Sequence, residues 1–111
     1  MHAQSEKCQW AGESGAIEGL VDRPAEPASR AGVAVIAHPH PLFGGTMTNK
    51  VVQTLARAFV QTGWTAVRFN FRGVGGSAGD HDHGVGETRD MLAVVQAAAP
   101  QPLGRPSKRR P

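Results

Sequence analysis

Residues 33 to 71 read VAVIAHPHPLFGGTMTNKVVQTLARAFVQTGWTAVRFNF, and the succession of patterns inside them decides the fold. Val33 to Ala37 is a continuous apolar, β-branched run, the signature of a strand covered on both faces. Val51, Val52, Leu55, Ala56 and Phe59 then recur at i, i+4 and i+8. That spacing predicts a helix from Met47 to Thr62, with Thr46 or Thr48 as N-cap and Gly63 ending it. WTAVRFNF, residues 64 to 71, is a second strand. Two strands joined through a helix need a crossover, which predicts a right-handed β-α-β unit with the strands parallel.

Upstream, GAIEGLVDRP predicts a short strand from Ala16 to Val21, stopped by Asp22 and Pro24, and RPAEPASRAG is a Pro/Ala connection. Downstream, a glycine-rich loop from Gly73 to Gly86 precedes a helix from Glu87 to Ala99. Glu87 and Asp90 fall in its first turn, and Met91, Leu92, Val95 and Ala98 share a face. The predicted order is strand, strand, helix, strand, helix, so the class is α/β with a largely parallel sheet.

The 111 residues suffice for one modest core. With 40% hydrophobic and 19% charged residues the composition is globular, and Cys8, the single cysteine, excludes a disulfide framework or a multi-cysteine zinc site. A reducing, cytoplasmic setting is expected. The N-terminal MHAQSEKCQWAGESG has no apolar segment of signal-peptide type, and no run is long enough to span a membrane. The net charge of +3 comes from the tail: Arg105, Lys108, Arg109 and Arg110 lie beyond residue 100, and without them eight basic residues stand against nine acidic. The tail, with no interleaved aromatic, is expected to be solvated and disordered, not bound to nucleic acid. Residues 1–100 are thus expected to belong to one domain and 101–111 to a basic Pro/Arg tail.

GGSAG, residues 75 to 79, fits the G-x-S-x-G pattern of a hydrolase nucleophile. A nucleophile elbow needs the serine on a sharp turn leading from strand straight into helix. Ser77 instead has Arg72 to Gly76 between it and the strand, and AGDHDHGVG before helical periodicity begins. It is therefore read as a loop residue that hydrogen-bonds backbone, together with Arg72, Gly73, Gly75 and Gly79. The overlapping G-x-G-x-x-A at Gly73 to Ala78 would be a dinucleotide fingerprint only if it opened a helix, which it does not. His38 and His40 form one H-x-H and His81 and His83 another, flanked by Asp80 and Asp82; a four-ligand metal site is conceivable, but solvated loop imidazoles account for the pattern. Asn70, Arg72 and Glu87 are read as loop anchors and helix caps.

HPHPLFGGTMTNKVV and FNFRGVGGSAGDHDHGVGE together resemble the start of an α/β-hydrolase domain, in particular the dienelactone-hydrolase-like group of serine hydrolases, over about Ala16 to Gln96. The resemblance implies that HPHPLFGG follows the third strand and FRGVGGSAG the fourth, and that the serine, acid and histidine of the triad lie beyond residue 100. The chain then has no catalytic residue of its own. It implies a loop on the oxyanion side, comprising His38, His40, Leu42, Gly44 and Gly45, placed at the carboxyl ends of the strands where ligands bind open parallel sheets. Pro39 and Pro41 have no N–H, so His40 and Leu42 are the first residues after His38 able to donate one to an oxyanion, and the choice between them stays open. The substrate class implied is a small ester or other acyl compound, with no cofactor and no metal.

QPLGRPSKRRP, which follows Pro100, cannot be a buried strand, since it holds one leucine and no β-branched residue. It is read as an out-of-frame or artificial end, leaving the fold truncated before the elbow. VAVIA would then lose its neighbouring strand, and self-association through that exposed sheet edge is expected. The alternative function is a non-catalytic β-α-β remnant or interaction module.

Overall fold

The computed structural model describes residues 5–28, 32–38 and 45–98. They form, in order, β1 (Ser5–Gly12), β2 (Gly15–Asp22), β3 (Val33–Ile36), α1 (Lys50–Gln61), β4 (Thr65–Phe69) and α2 (Val85–Ala98). The tail from residue 99, like His40, Leu42 and Gly44 of the first loop, lies outside the described residues.

One sheet runs β1-β2-β4-β3. The β3–β4 pair is parallel, Val33 opposite Thr65 and Ile36 opposite Arg68, with α1 as the connecting helix. Both pairings of β2 are antiparallel, to β1 and to β4. Among the described strands the sheet is therefore mixed, and the parallel pairing read from residues 33 to 71 is confined to β3 and β4.

β1 is an element the sequence reading left out. In SEKCQWAG only Cys8 and Trp10 mark the inward phase, too few apolar positions to signal a strand alone. β2 supplies the rest, because the two are joined by a two-residue turn at Glu13 and Ser14 and pair from Ser5↔Asp22 to Gly12↔Gly15.

Alternation along the strands gives each face its own core. Ile17, Val21, Val67, Phe69 and Val94 of α2 form one cluster, with Trp10, Val33, Val35 and Phe71 packed around it. Ile36, Ala66 and, from α1, Val52 and Ala56 form the other. The molecule is thus three layers deep, a helix on each side of the sheet.

Both helices differ from their predicted phase. α1 buries Val52 and Ala56, whereas Val51 and Leu55 remain 62% and 45% exposed. Its N-cap is Asn49, whose side chain accepts from the Val51 N–H at 2.9 Å, not Thr46 or Thr48. Those two threonines bond each other through their hydroxyls, and Asn49 N–H donates to Thr46 O. α2 begins two residues before Glu87 and buries Gly86, Glu87, Asp90 and Val94, while Leu92 is 55% exposed. Its inward stripe is half polar, so reading apolar residues alone rotated the helix. That polar stripe leads to the loop after β4.

Candidate functional site

The carboxyl ends of β3 and β4 meet at His38 and Phe71. His38 Nε2 accepts the Phe71 N–H at 3.0 Å, which puts the ring proton on Nδ1, and the two rings stack edge to face with centroids 4.7 Å apart. His38 is buried. Its imidazole thus holds the two strand ends together, and Gly45, also buried, lies where the first loop returns.

Asn70, the first residue after β4, joins three segments. Its Oδ1 accepts from Met47 N–H at 2.9 Å, and its Nδ2 donates to Glu18 Oε1 at 2.8 Å. Glu18 Oε1 also accepts from Gly76 N–H at 2.6 Å. Ser77 completes the lock: its hydroxyl donates to Asn70 O at 2.6 Å and accepts from Glu18 N–H at 2.9 Å. Ala78 N–H reaches Ala16 O at 2.8 Å. Residues 70 to 78 are in this way folded back onto β2. Gly75 fits because its φ is +52° and a Cβ there would lie 2.6 Å from Asn70 Nδ2 and 2.8 Å from Glu18 Oε1.

The serine is therefore fixed between two backbone groups, eight residues past the end of β4 and eight before the start of α2. A nucleophile needs a hydroxyl directed at a base and at substrate space, with the helix opening directly behind it. Ser77 has neither. Gly73 and Gly79, at φ +79° and +93°, turn the same loop.

Arg72 carries the loop's other anchor. Its Nε and Nη2 donate to the two carboxylate oxygens of Asp90 at 3.0 and 2.8 Å, a bidentate pair with both side chains buried. Nη2 also donates to Gly86 O at 2.9 Å and reaches Glu13 at 3.4 Å. A Cβ at Gly86 would collide with the guanidinium, so the first turn of α2 is built around Arg72. The hydrogen bond and charge of Asp90 outweigh desolvation and push the Arg72 pKa further up. Glu13, held chiefly by Arg89 and then by Arg72, is pushed below the ordinary carboxylate value.

Glu87 caps its own helix, accepting from Asp82 N–H at 2.8 Å and Gly84 N–H at 2.9 Å and pairing with His81 Nδ1 at 3.2 Å. Burial opposes its ionisation, but those backbone N–H groups and its own outweigh burial, and its pKa is lowered. A carboxylate with a lowered folded-state pKa stabilises the fold above its unfolded value, about 4.3, and that contribution disappears as pH falls through the folded value. Acid is therefore expected to loosen residues 80 to 84 first. Urea midpoints followed from pH 5 downward should fall less steeply for Glu87→Gln than for the wild type, and parallel slopes would refute the assignment.

The rings of His81 and His83 meet edge to face, centroids 5.0 Å apart, beside a cavity of about 630 Å³ lined also by Phe71, Met91 and Leu92. Among the described residues no group of three or more His, Cys, Asp and Glu side chains could hold a metal ion. Nor does any helix among them have the length and apolarity to cross a membrane.

The sequence shows Asp90 as a first-turn acid and Asp22 as a strand end, but not the partners of either, nor the roles of Glu18 and Arg68. Asp90 and the buried pair of Arg68 with Asp22 (2.9 Å) stand at inward positions of regular elements, whereas Glu18 is half-buried between the inward Ile17 and Gly19 of β2. A charged residue at an apolar phase, as Arg68 in TAVRF or Asp90 one turn past Glu87, was the available signal.

With four strands and two helices so arranged, the described residues constitute a partial α/β-hydrolase fold. Solved structures agree. The chain superposes with a TM-score of 0.75 on an α/β serine hydrolase homologue from Coxiella burnetii, 46% identical, covering 87% of this chain and 45% of that one. A Xanthomonas campestris member of the α/β serine hydrolases without a lid is 42% identical at a TM-score of 0.76, over 89% of this chain and 47% of that one. An uncharacterized protein of Rickettsia prowazekii is 48% identical over 84 residues, 76% of this chain and 34% of the relative. No family model matches. The chain is accordingly related to the α/β serine hydrolases, and it spans between about a third and a half of the length of these relatives.

Proposed function

We propose that this chain is the N-terminal portion of a serine hydrolase domain of the dienelactone-hydrolase-like, esterase-like kind, acting when complete on small ester or other acyl substrates. The observation that carries the reading is the similarity, above 40% identity, to α/β serine hydrolase structures over 87% and 89% of this chain. In this reading the loop from His38 to Gly45 flanks the acyl site, and a backbone N–H of His40 or Leu42 binds the oxyanion. The loop from Arg72 to Gly79 is scaffold, and neither cofactor nor metal takes part. The chain alone performs no acyl transfer, because the hydroxyl of Ser77 is committed to backbone on both sides.

The test is labelling with a fluorophosphonate probe together with turnover of p-nitrophenyl acetate. The 111-residue chain is expected to do neither, and a chain extended to the length of the relatives to do both. Labelling of the short chain that is lost in Ser77→Ala would sink the assignment. The same substitution is expected to destabilise the fold by about 1–3 kcal/mol, since it strands the Glu18 N–H and the Asn70 carbonyl. Urea denaturation measures this, and an unchanged midpoint would mean that the hydroxyl does not anchor the loop.

A further inference from the structure

Between α1 and the β1–β2 hairpin lies a second cavity, of about 360 Å³. Ser5 stands opposite Asp22 and Leu20 opposite Arg68, so these four side chains rise from one face of the sheet and form its floor. Ala56 and Arg57 of α1 bound it from the other side. Its walls are thus β1, β2, β4 and α1.

Arg68 and Asp22 are both buried, on a face whose other inward residues include Ile36 and Ala66. A buried ion pair adds little stability over apolar side chains of the same volume, so stability alone does not account for this one. Its donors also do not balance. The Nε hydrogen of Arg68 and one on Nη2 go to Asp22, the other Nη2 hydrogen goes to Ser5 Oγ, and one on Nη1 goes to Met47 O. The remaining Nη1 hydrogen has no acceptor among the described residues. Arg57, exposed at the rim, makes neither hydrogen bond nor ion pair among them. Because Arg68 cancels Asp22, Arg57 leaves the cavity with a surplus of positive charge.

We propose that this cavity binds a small organic carboxylate. The planar fork of Arg57 matches the two oxygens of a carboxylate, and the spare Nη1 hydrogen of Arg68, a guanidinium held still by Asp22, adds a further donor. Leu20 and Ala56 supply apolar surface for a carbon body, and the volume admits one of several carbons. A single negative charge balances Arg57. A dianion such as phosphate is disfavoured, because the Asp22 carboxylate lies in the same wall. Such binding is independent of any acyl chemistry at the other loops.

Backbone amide chemical shifts of the isotope-labelled chain, followed as sodium butyrate is added at constant ionic strength, test this. The shifts of Leu20, Ala56 and Arg57 are expected to saturate with a millimolar Kd. Arg57→Gln, at an exposed position, should weaken binding about tenfold or more while leaving the far-ultraviolet circular dichroism unchanged. Butanol, with the same carbon body and no charge, should not bind, and inorganic phosphate should bind more weakly than butyrate. Shifts that rise without saturating, binding indifferent to Arg57→Gln, equal binding of butanol, or phosphate bound as tightly as butyrate would overturn the proposal.

Discussion

Asp90→Ala is expected to cost about 3–5 kcal/mol, enough to leave the chain largely unfolded at ambient temperature if its stability lies at the low end for a small domain. The substitution removes both acceptors of a bidentate pair and leaves the Arg72 guanidinium buried. What remains to Arg72 is Gly86 O and a longer contact with Glu13. It also releases the Arg72 N–H, which Asp90 Oδ2 accepts at 3.3 Å. Replacing both partners, Arg72→Met with Asp90→Leu, should be milder than the single change, because no charge is then stranded. Urea midpoints of the single and double variants, compared at one protein concentration, decide it. A single variant within about 1 kcal/mol of wild type would show that water already screens the pair.

Phe69→Ala should be as damaging through a different cause. Phe69 has no exposed surface, sits on the interior strand β4, and packs its ring edge to face on Phe71 with centroids 5.0 Å apart. Truncation deletes most of a buried ring where neighbours on both sides are tied into the sheet and cannot close the gap. The expected loss is about 3–5 kcal/mol. Phe69→Leu, which restores much of the volume, should recover more than half of it. Equal losses for Ala and Leu would mean that the ring contact, not the filled space, is what matters.

Where one covered element speaks for itself, the sequence is readable. Val33–Ile36 is apolar on both faces, and Thr65–Phe69 is so at Ala66, Val67 and Phe69, because a helix covers each side of the sheet, and the helix between them shows its period plainly. Legibility fails where an element depends on a distant partner. β1 holds few apolar residues and exists through its pairing with β2. α2 turns its polar residues inward because Arg72 awaits Asp90 and the chain at 82 to 84 awaits Glu87, so its period of hydrophobicity points to the wrong face. In the loops, the spacing of Ser77 from strand and helix was visible in the residues, whereas its two backbone partners, on segments 7 and 59 positions away, were not. Of the first loop's candidates, His38 and Gly45 are described and His40, Leu42 and Gly44 are not.

Glu13 joins Arg89, 76 positions further along, and Glu18 receives Ser77 from 59 positions away. The opening hairpin is thus finished by residues synthesised well after it. On a ribosome, β1 and β2 emerge early but lack their clasp until α2 has cleared the exit tunnel, so the nascent polypeptide waits with Trp10 and Ile17 unshielded. The hairpin pairing itself is local and can form first, whereas the contacts that clasp it are long-range and must wait for loop closure across most of the chain.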